Sequence, residues 1–137
     1  MRSKRRASST WPGNRHEKSL PGRTRLKRIW KALFYSLDGL AAAFKHEEAF
    51  RLEVLLALVL VPIALHMPVS GAGKALLVGS LLLVLIAELL NSAIEAVTDL
   101  VSLEDHVLAK RAKDFGSAAV MLSLVNAPVV WLLVIFG

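Results

Sequence analysis

The sequence predicts an all-α integral membrane protein, with an N-terminal amphipathic surface helix followed by three transmembrane helices. Three observations predict it. Hydrophobic residues make up 55% of the 137, and the mean hydropathy is +0.53; a soluble domain of this size is at most about half apolar. The apolar mass is Leu, Val, Ala and Ile, with aromatics at only 7%, which suits helices in lipid better than a barrel with aromatic girdles. Finally, 13 of the 17 Lys and Arg lie in residues 1–51, the other four being Lys74, Lys110, Arg111 and Lys113. A basic end beside apolar spans reads as a cytoplasmic, membrane-facing arm.

Such an arm could also suit nucleic acid. The apolar remainder of the chain makes the bilayer the expected partner and argues against nucleic acid. The absence of cysteine excludes a disulfide framework and any thiolate metal site. No secretory signal peptide is expected, because the first apolar run lies far from the N-terminus and lacks a small-residue cleavage pattern.

Residues 1–25 are polar, basic and rich in Ser, Pro and Gly, the composition of a disordered tail. Residues 26–137 form one domain. Its surface helix spans 26–45, where Ile29, Leu33, Leu37 and Leu40 recur at helical spacing, widened by Trp30 and Phe34. Lys27, Arg28, Lys31, Asp38 and Lys45 take the other positions, so the helix can lie at headgroup level. Spans are expected at about 49–67, 74–99 and 115–136. Each can cross a hydrocarbon core about 30 Å thick, which takes roughly 20 helical residues. Helices are required there because lipid leaves backbone groups no external partner. Pro68, Gly71 and Gly73 mark an outer turn. The stretch Leu100–Asp114 reads as a loop that its Lys and Arg return to the cytoplasm, the side of the N-terminus.

The informative stretch runs from Ala87 to Asp99. At about 100° per residue, Glu88, Asn91, Ser92, Glu95 and Asp99 share one narrow helix face, opposite Leu, Ile, Ala and Val. A polar stripe in a membrane helix is costly and marks a functional site by default. Asn91 and Ser92 alone fit interhelical glue well; two carboxylates two turns apart fit it poorly, since each is expensive to ionise unless a cation is nearby. A second acidic group, Glu47, Glu48 and Glu53 with Arg51 among them, precedes the first span. With the expected topology it shares the cytoplasmic surface with Glu95, and carboxylates from two helices can then share Mg²⁺, a hard cation that takes oxygen ligands and nucleotide phosphates. Taken singly, each of these three also fits a charged helix start. Lys110, Arg111 and Lys113 could clamp a polyphosphate. Gly71-Ala72-Gly73-Lys74 ends like a phosphate-binding loop, but the first Gly of that pattern falls on Pro68 and Ala75 replaces Ser/Thr. Asp114-Phe115-Gly116 spells a protein-kinase triplet without that fold's other parts. His46, His66 and His106 show no zinc spacing.

Glu88-Leu-Leu-Asn91-Ser92-Ala-Ile-Glu95-Ala-Val-Thr-Asp99, followed by Ala112-Lys113-Asp114-Phe-Gly116-Ser117-Ala118-Ala119-Val120, resembles the prokaryotic diacylglycerol kinase family. Glu47-Glu-Ala49-Phe50-Arg51-Leu-Glu53 matches that family's entry into the first span. The resemblance covers about Arg28 to Phe136. It implies a homotrimer in the bacterial inner membrane, with active sites shared between subunits at the cytoplasmic interface. It further implies Mg²⁺-dependent transfer of the ATP γ-phosphoryl group to diacylglycerol, giving phosphatidic acid. By motif, Glu88 is similar to the catalytic base, and Glu47 and Glu95 to the metal ligands. Arg28, Tyr35, Glu104, Asp105, His106, Lys113 and Asp114, with Glu47 and Glu95, correspond to ATP contacts. Arg28, Ser36, Glu88, Asn91 and Ser117 correspond to lipid-site positions. The sequence departs from the family at Glu48, where a small residue is common, and at Asp105, where Tyr is frequent. Two alternatives stand beside this expectation: an undecaprenol kinase of the same fold, and a small cation-coupled transporter, against which three spans and two carboxylates on one face argue.

Overall fold

The computed structural model describes residues 23–101 and 106–137. Four helices account for them: α1 (Arg23–His46), α2 (Glu48–His66), α3 (Gly71–Val101) and α4 (Val107–Phe136). No strand occurs among the described residues. The last three helices are each long and apolar enough to cross a membrane. The expected tail through residue 22, and Glu104 and Asp105, lie outside the described residues.

The described chain divides within α1 into two units, the first ending at Tyr35 and the second beginning at Ser36. In the first unit, Leu26, Ile29, Trp30, Leu33 and Phe34 are all exposed, and the Trp30 and Phe34 rings lie 6.5 Å apart. One turn apart on one face, they form the apolar stripe that the periodicity predicts.

In the second unit, α1 ends at His46 and α2 begins at Glu48, separated by the single extended residue Glu47 (φ −105°, ψ 114°). Lys45 and His46 occupy the last turn of α1, where positive charge favours the helix dipole. Arg51, one turn into α2, donates from Nη1 to the carbonyls of Phe44 (3.3 Å) and Lys45 (3.0 Å). These are terminal α1 carbonyls with no helical partner of their own, so Arg51 ties the two helices together across the bend.

The turn after α2 is shorter than the sequence suggests. Pro68 lies in it, but Gly71 and Gly73 already belong to α3. Ser70 explains this: its hydroxyl accepts from the Gly73 N–H at 3.1 Å, satisfying a free donor of the first turn as N-cap hydroxyls do. Gly73 is buried, and a Cβ there would lie 3.1 Å from Val134 and 3.2 Å from Val69. The start of α3 is thus pressed against the end of α4.

α4 likewise begins earlier than the expected span, at Val107. His106 is its N-cap; its Nδ1 accepts from the Leu108 N–H at 3.2 Å. Lys110, Arg111, Lys113 and Asp114, expected in a loop, stand on the first turns of this helix. α3 is the central element, packing against both α4 and α2. Its buried residues are Gly73, Leu77, Ser80, Leu81, Val84 and Glu88, a stripe at spacings of three and four. Leu77 is completely buried.

Candidate active site

The start of α2, the end of α3 and the start of α4 carry most of the charge among the described residues of the second unit, Asp38, Lys45 and Lys74 being the others. The buried apolar stripe of α3 ends on Glu88, which retains only 6% of its surface. Beyond it the same face continues as Asn91, Ser92 and Glu95, all half-buried. The polar stripe read from the sequence is therefore the extension of the packed face of α3. Glu88 lies within electrostatic reach of Glu47 and Glu95, and Glu53 within reach of Glu88. Glu88 thus stands within electrostatic reach of carboxylates from α2, from its N-cap and from α3 itself.

The Glu95 carboxylate accepts from Asn91 Nδ2 at 3.1 Å, and its backbone carbonyl from Thr98 Oγ1 at 2.9 Å. The other end of the Asn91 amide, Oδ1, is buried without a hydrogen-bond partner. Asn91 fits there because α4 presents Gly116: a Cβ at 116 would overlap that oxygen. The Glu47 side chain makes no hydrogen bond that caps α2. Glu48 points away from this cluster, its side chain 93% exposed and 3.6 Å from Arg51.

On α4, Lys113 Nζ donates to Asp99 of α3 across the helix pair and lies within electrostatic reach of Glu95. Lys110 pairs with Asp114 at 2.8 Å, one turn on. A cleft of about 610 Å³ opens between the second half of α1 and the middle of the polar stretch of α3, lined by Ser36, Gly39, Ala43, Glu47, Leu89 and Ser92 among others. It joins Ser36 to Glu47 in one recess. Ser117 is exposed on α4. Arg28 and Tyr35 are exposed on the first unit's part of α1. His106 is occupied as the α4 cap.

Two features escape a reading of the sequence. Glu53 looks like one more charge at a helix start, although it stands six residues beyond Glu47, already inside the apolar segment. Gly116 carries a local signal, a glycine inside a helical pattern, but its partner Asn91 is on another helix.

Among the described residues no group of three or more His, Cys, Asp or Glu is arranged to hold a metal ion. The two carboxylates expected to hold a metal, Glu47 and Glu95, each lie within electrostatic reach of Glu88 and offer oxygen donors only, and the Glu47 carboxylate is not spent on capping α2. That fits magnesium, which takes one or two protein carboxylates and fills its remaining positions from phosphate and water.

Three helices long and apolar enough to span a bilayer, with a buried and a half-buried acid toward one end of α3 and a lysine of α4 paired to Asp99 beyond them, define a multi-pass membrane protein with an acid-lined site. The profile of prokaryotic diacylglycerol kinase matches residues 34–135. A diacylglycerol kinase of Pseudomonas aeruginosa is 53% identical over 116 residues, 85% of this chain and 94% of the relative. That of Escherichia coli K12 is 45% identical over 114 residues, covering 83% and 93%. A diacylglycerol kinase of Helicobacter pylori is 42% identical over 105 residues, covering 77% and 82%. The chain belongs to the prokaryotic diacylglycerol kinase family and is a kinase.

Proposed function

We propose that the protein phosphorylates diacylglycerol to phosphatidic acid with Mg²⁺ and ATP, at the cytoplasmic face of the bacterial inner membrane. The observation that carries this reading is Glu88, a carboxylate with 6% exposure that ends a packed stripe otherwise free of charge. A carboxylate at that depth is expensive, and its use is as a base. It accepts the proton of the lipid hydroxyl as that oxygen bonds to the γ-phosphorus, while the bond to the β-phosphate oxygen breaks and ADP leaves.

Depth orders the other residues. At 1.5 Å per residue, Glu95 lies about 10 Å further along α3 than Glu88, toward its free end. The base faces the lipid, and Glu95 with Glu47 faces the aqueous nucleotide. These two carboxylates would hold Mg²⁺, which when bound offsets charge on the phosphate oxygens. Asn91 fixes the Glu95 carboxylate. Lys113, with Arg28, Tyr35 and Asp114, serves the nucleotide, as would Glu104, Asp105 and His106. Ser36, Asn91 and Ser117, again with Arg28, serve the lipid. The homotrimer with shared sites, and the cytoplasmic N-terminus indicated by the basic arm, complete the reading.

Purified protein supplied with Mg²⁺ and γ-labelled ATP should label diacylglycerol in preference to undecaprenol. Labelling of undecaprenol alone would move the substrate to the polyprenol class. ATP left intact with both lipids would refute the reading.

A further inference from the structure

One amide in the spans has no use in this mechanism. The stretch from Phe115 to Gly137 carries no charged residue, and Asn126 stands at its centre, about 16 Å from either end at 1.5 Å per residue. At that depth a polar side chain meets neither water nor headgroups. Asn126 is half-buried and makes no hydrogen bond to any described residue of its own chain. The other polar side chains on this side of α3 and α4 are engaged: Ser123 Oγ donates to the Val120 carbonyl at 2.7 Å, and Asn91 Nδ2 donates to Glu95.

Asn126 lies toward the outer end of a groove of about 670 Å³ between α3 and α4, whose walls include Leu83, Ile86, Leu90, Phe115 and Leu122. The groove runs inward past Gly116, about 15 Å along α4, enough for nearly three turns of a helix. Lipid accepts exposed leucine, so the walls alone do not name an occupant. The amide does. An acyl chain would fill the groove but offers Asn126 nothing to bond, and an amide without a partner in hydrocarbon is costly. A helix of another subunit supplies one.

The chain itself carries matching acceptors. Pro62 and Pro128 lie inside α2 and α4 and supply no N–H to the carbonyls of Leu58 and Leu124, one turn back. A carbonyl freed in a span is satisfied by a neighbouring helix. Leu124 is two residues from Asn126, and Leu58 is near the middle of α2, as Asn126 is of its own span. Copies that share a bilayer and an orientation meet at equal depth.

We propose that the groove between α3 and α4 seats a helix of a second copy of this chain, and that Asn126 donates a hydrogen bond across that interface to a carbonyl freed by proline. This deepens the homotrimer reading above and rests on it. In lipid, where apolar surface gives helices no drive to associate, such a bond holds them together and, as a lone Asn does in a coiled coil, fixes their register.

The test uses the full-length protein in phosphatidylcholine vesicles. The chain has no cysteine, so an added C-terminal cysteine can carry a donor dye in one population and an acceptor dye in another, and energy transfer reports subunit exchange. Asn126→Leu should speed exchange by on the order of tenfold, the sum of two interhelical bonds of ordinary strength in lipid. Asn126→Ser, which keeps a donor, should recover part of this. Helix content should not change in either, since no bond within the chain is lost. A photoreactive side chain in place of Leu122, on the groove wall, should capture a second copy of the chain. Capture of lipid alone or of an unrelated protein, or exchange unaffected by Asn126→Leu, overturns the proposal. A protein that is a single chain in the vesicle refutes instead the homotrimer reading on which it rests.

Discussion

Gly116 of α4 stands so close to Asn91 of α3 that a methyl group at position 116 would occupy the space of the Asn91 side-chain oxygen. The same amide donates to Glu95 through its nitrogen. The glycine thus sets the position of a carboxylate one turn from Asn91. In Gly116→Ala the Asn91 side chain must rotate away and release Glu95. Overpacking costs about 1–3 kcal/mol, partly offset by about 1 kcal/mol of helix propensity. Turnover should drop tenfold or more with helix content by circular dichroism unchanged. Adding Asn91→Ala should recover thermal stability but not activity. Wild-type turnover in Gly116→Ala would show that this contact does not position the site.

Glu88→Gln removes the base while keeping shape and neutral polarity. Turnover should fall by about 10²–10⁴-fold, the range of general base catalysis, with ATP affinity unchanged by equilibrium dialysis. A fall of less than about fivefold would assign the proton to another group.

Glu47 and Glu48 are adjacent but face different surroundings. Glu47 lies within electrostatic reach of Glu88, whereas the Glu48 side chain is 93% exposed beside Arg51. Glu47→Gln should raise the Mg²⁺ concentration for half-maximal turnover by at least about tenfold, as expected for loss of a charged ligand; Glu48→Gln should leave it within about twofold. The opposite order in a magnesium titration would exchange their roles.

Lys113 rests on Asp99, and a nucleotide that recruits this lysine must compete with that carboxylate. Lys113→Met should raise KM for ATP strongly, while Asp99→Asn, which leaves the ammonium without its resting partner, should lower KM or leave it unchanged. If Asp99→Asn raises KM as much as Lys113→Met, the pair acts as a unit in holding the helices and not in reserving a cation for phosphate.

Arg51→Gln removes the donors that tie the end of α1 to α2. Hydrogen bonds from a charged group are worth about 1.5–3 kcal/mol; partial exposure of the guanidinium places the loss near the lower figure. The thermal midpoint should fall by several degrees in detergent, and Arg51→Lys should recover only part of it, because one ammonium lacks the fork that spans two carbonyls.

The polar face of α3 was legible because carboxylates at helical spacing in an apolar run have no bland explanation. The direction in which that helix packs was not. Leu77, Leu81 and Val84 are buried while Leu76, Leu82 and Leu83 are exposed, and nothing distinguishes the two sets by chemistry, since lipid accepts leucine on every side. The early start of α4 was hidden because its first turns are charged and its cap is a histidine instead of the usual Ser, Thr, Asp or Asn. The contact between Asn91 and Gly116 joins residues on different helices, so no local pattern could announce it. The electrostatic reach of Glu88 to Glu53 emerges only once α2 and α3 are seen to lie side by side.

The bend between α1 and α2 has a mechanical corollary. It is confined to Glu47, the very residue assigned to the metal. Arg51 braces that bend through the last carbonyls of α1, and the Glu47 backbone bonds on both sides, to Ala43 and to Arg51. The corner that presents the carboxylate is therefore buttressed, and a change at Arg51 is felt at Glu47.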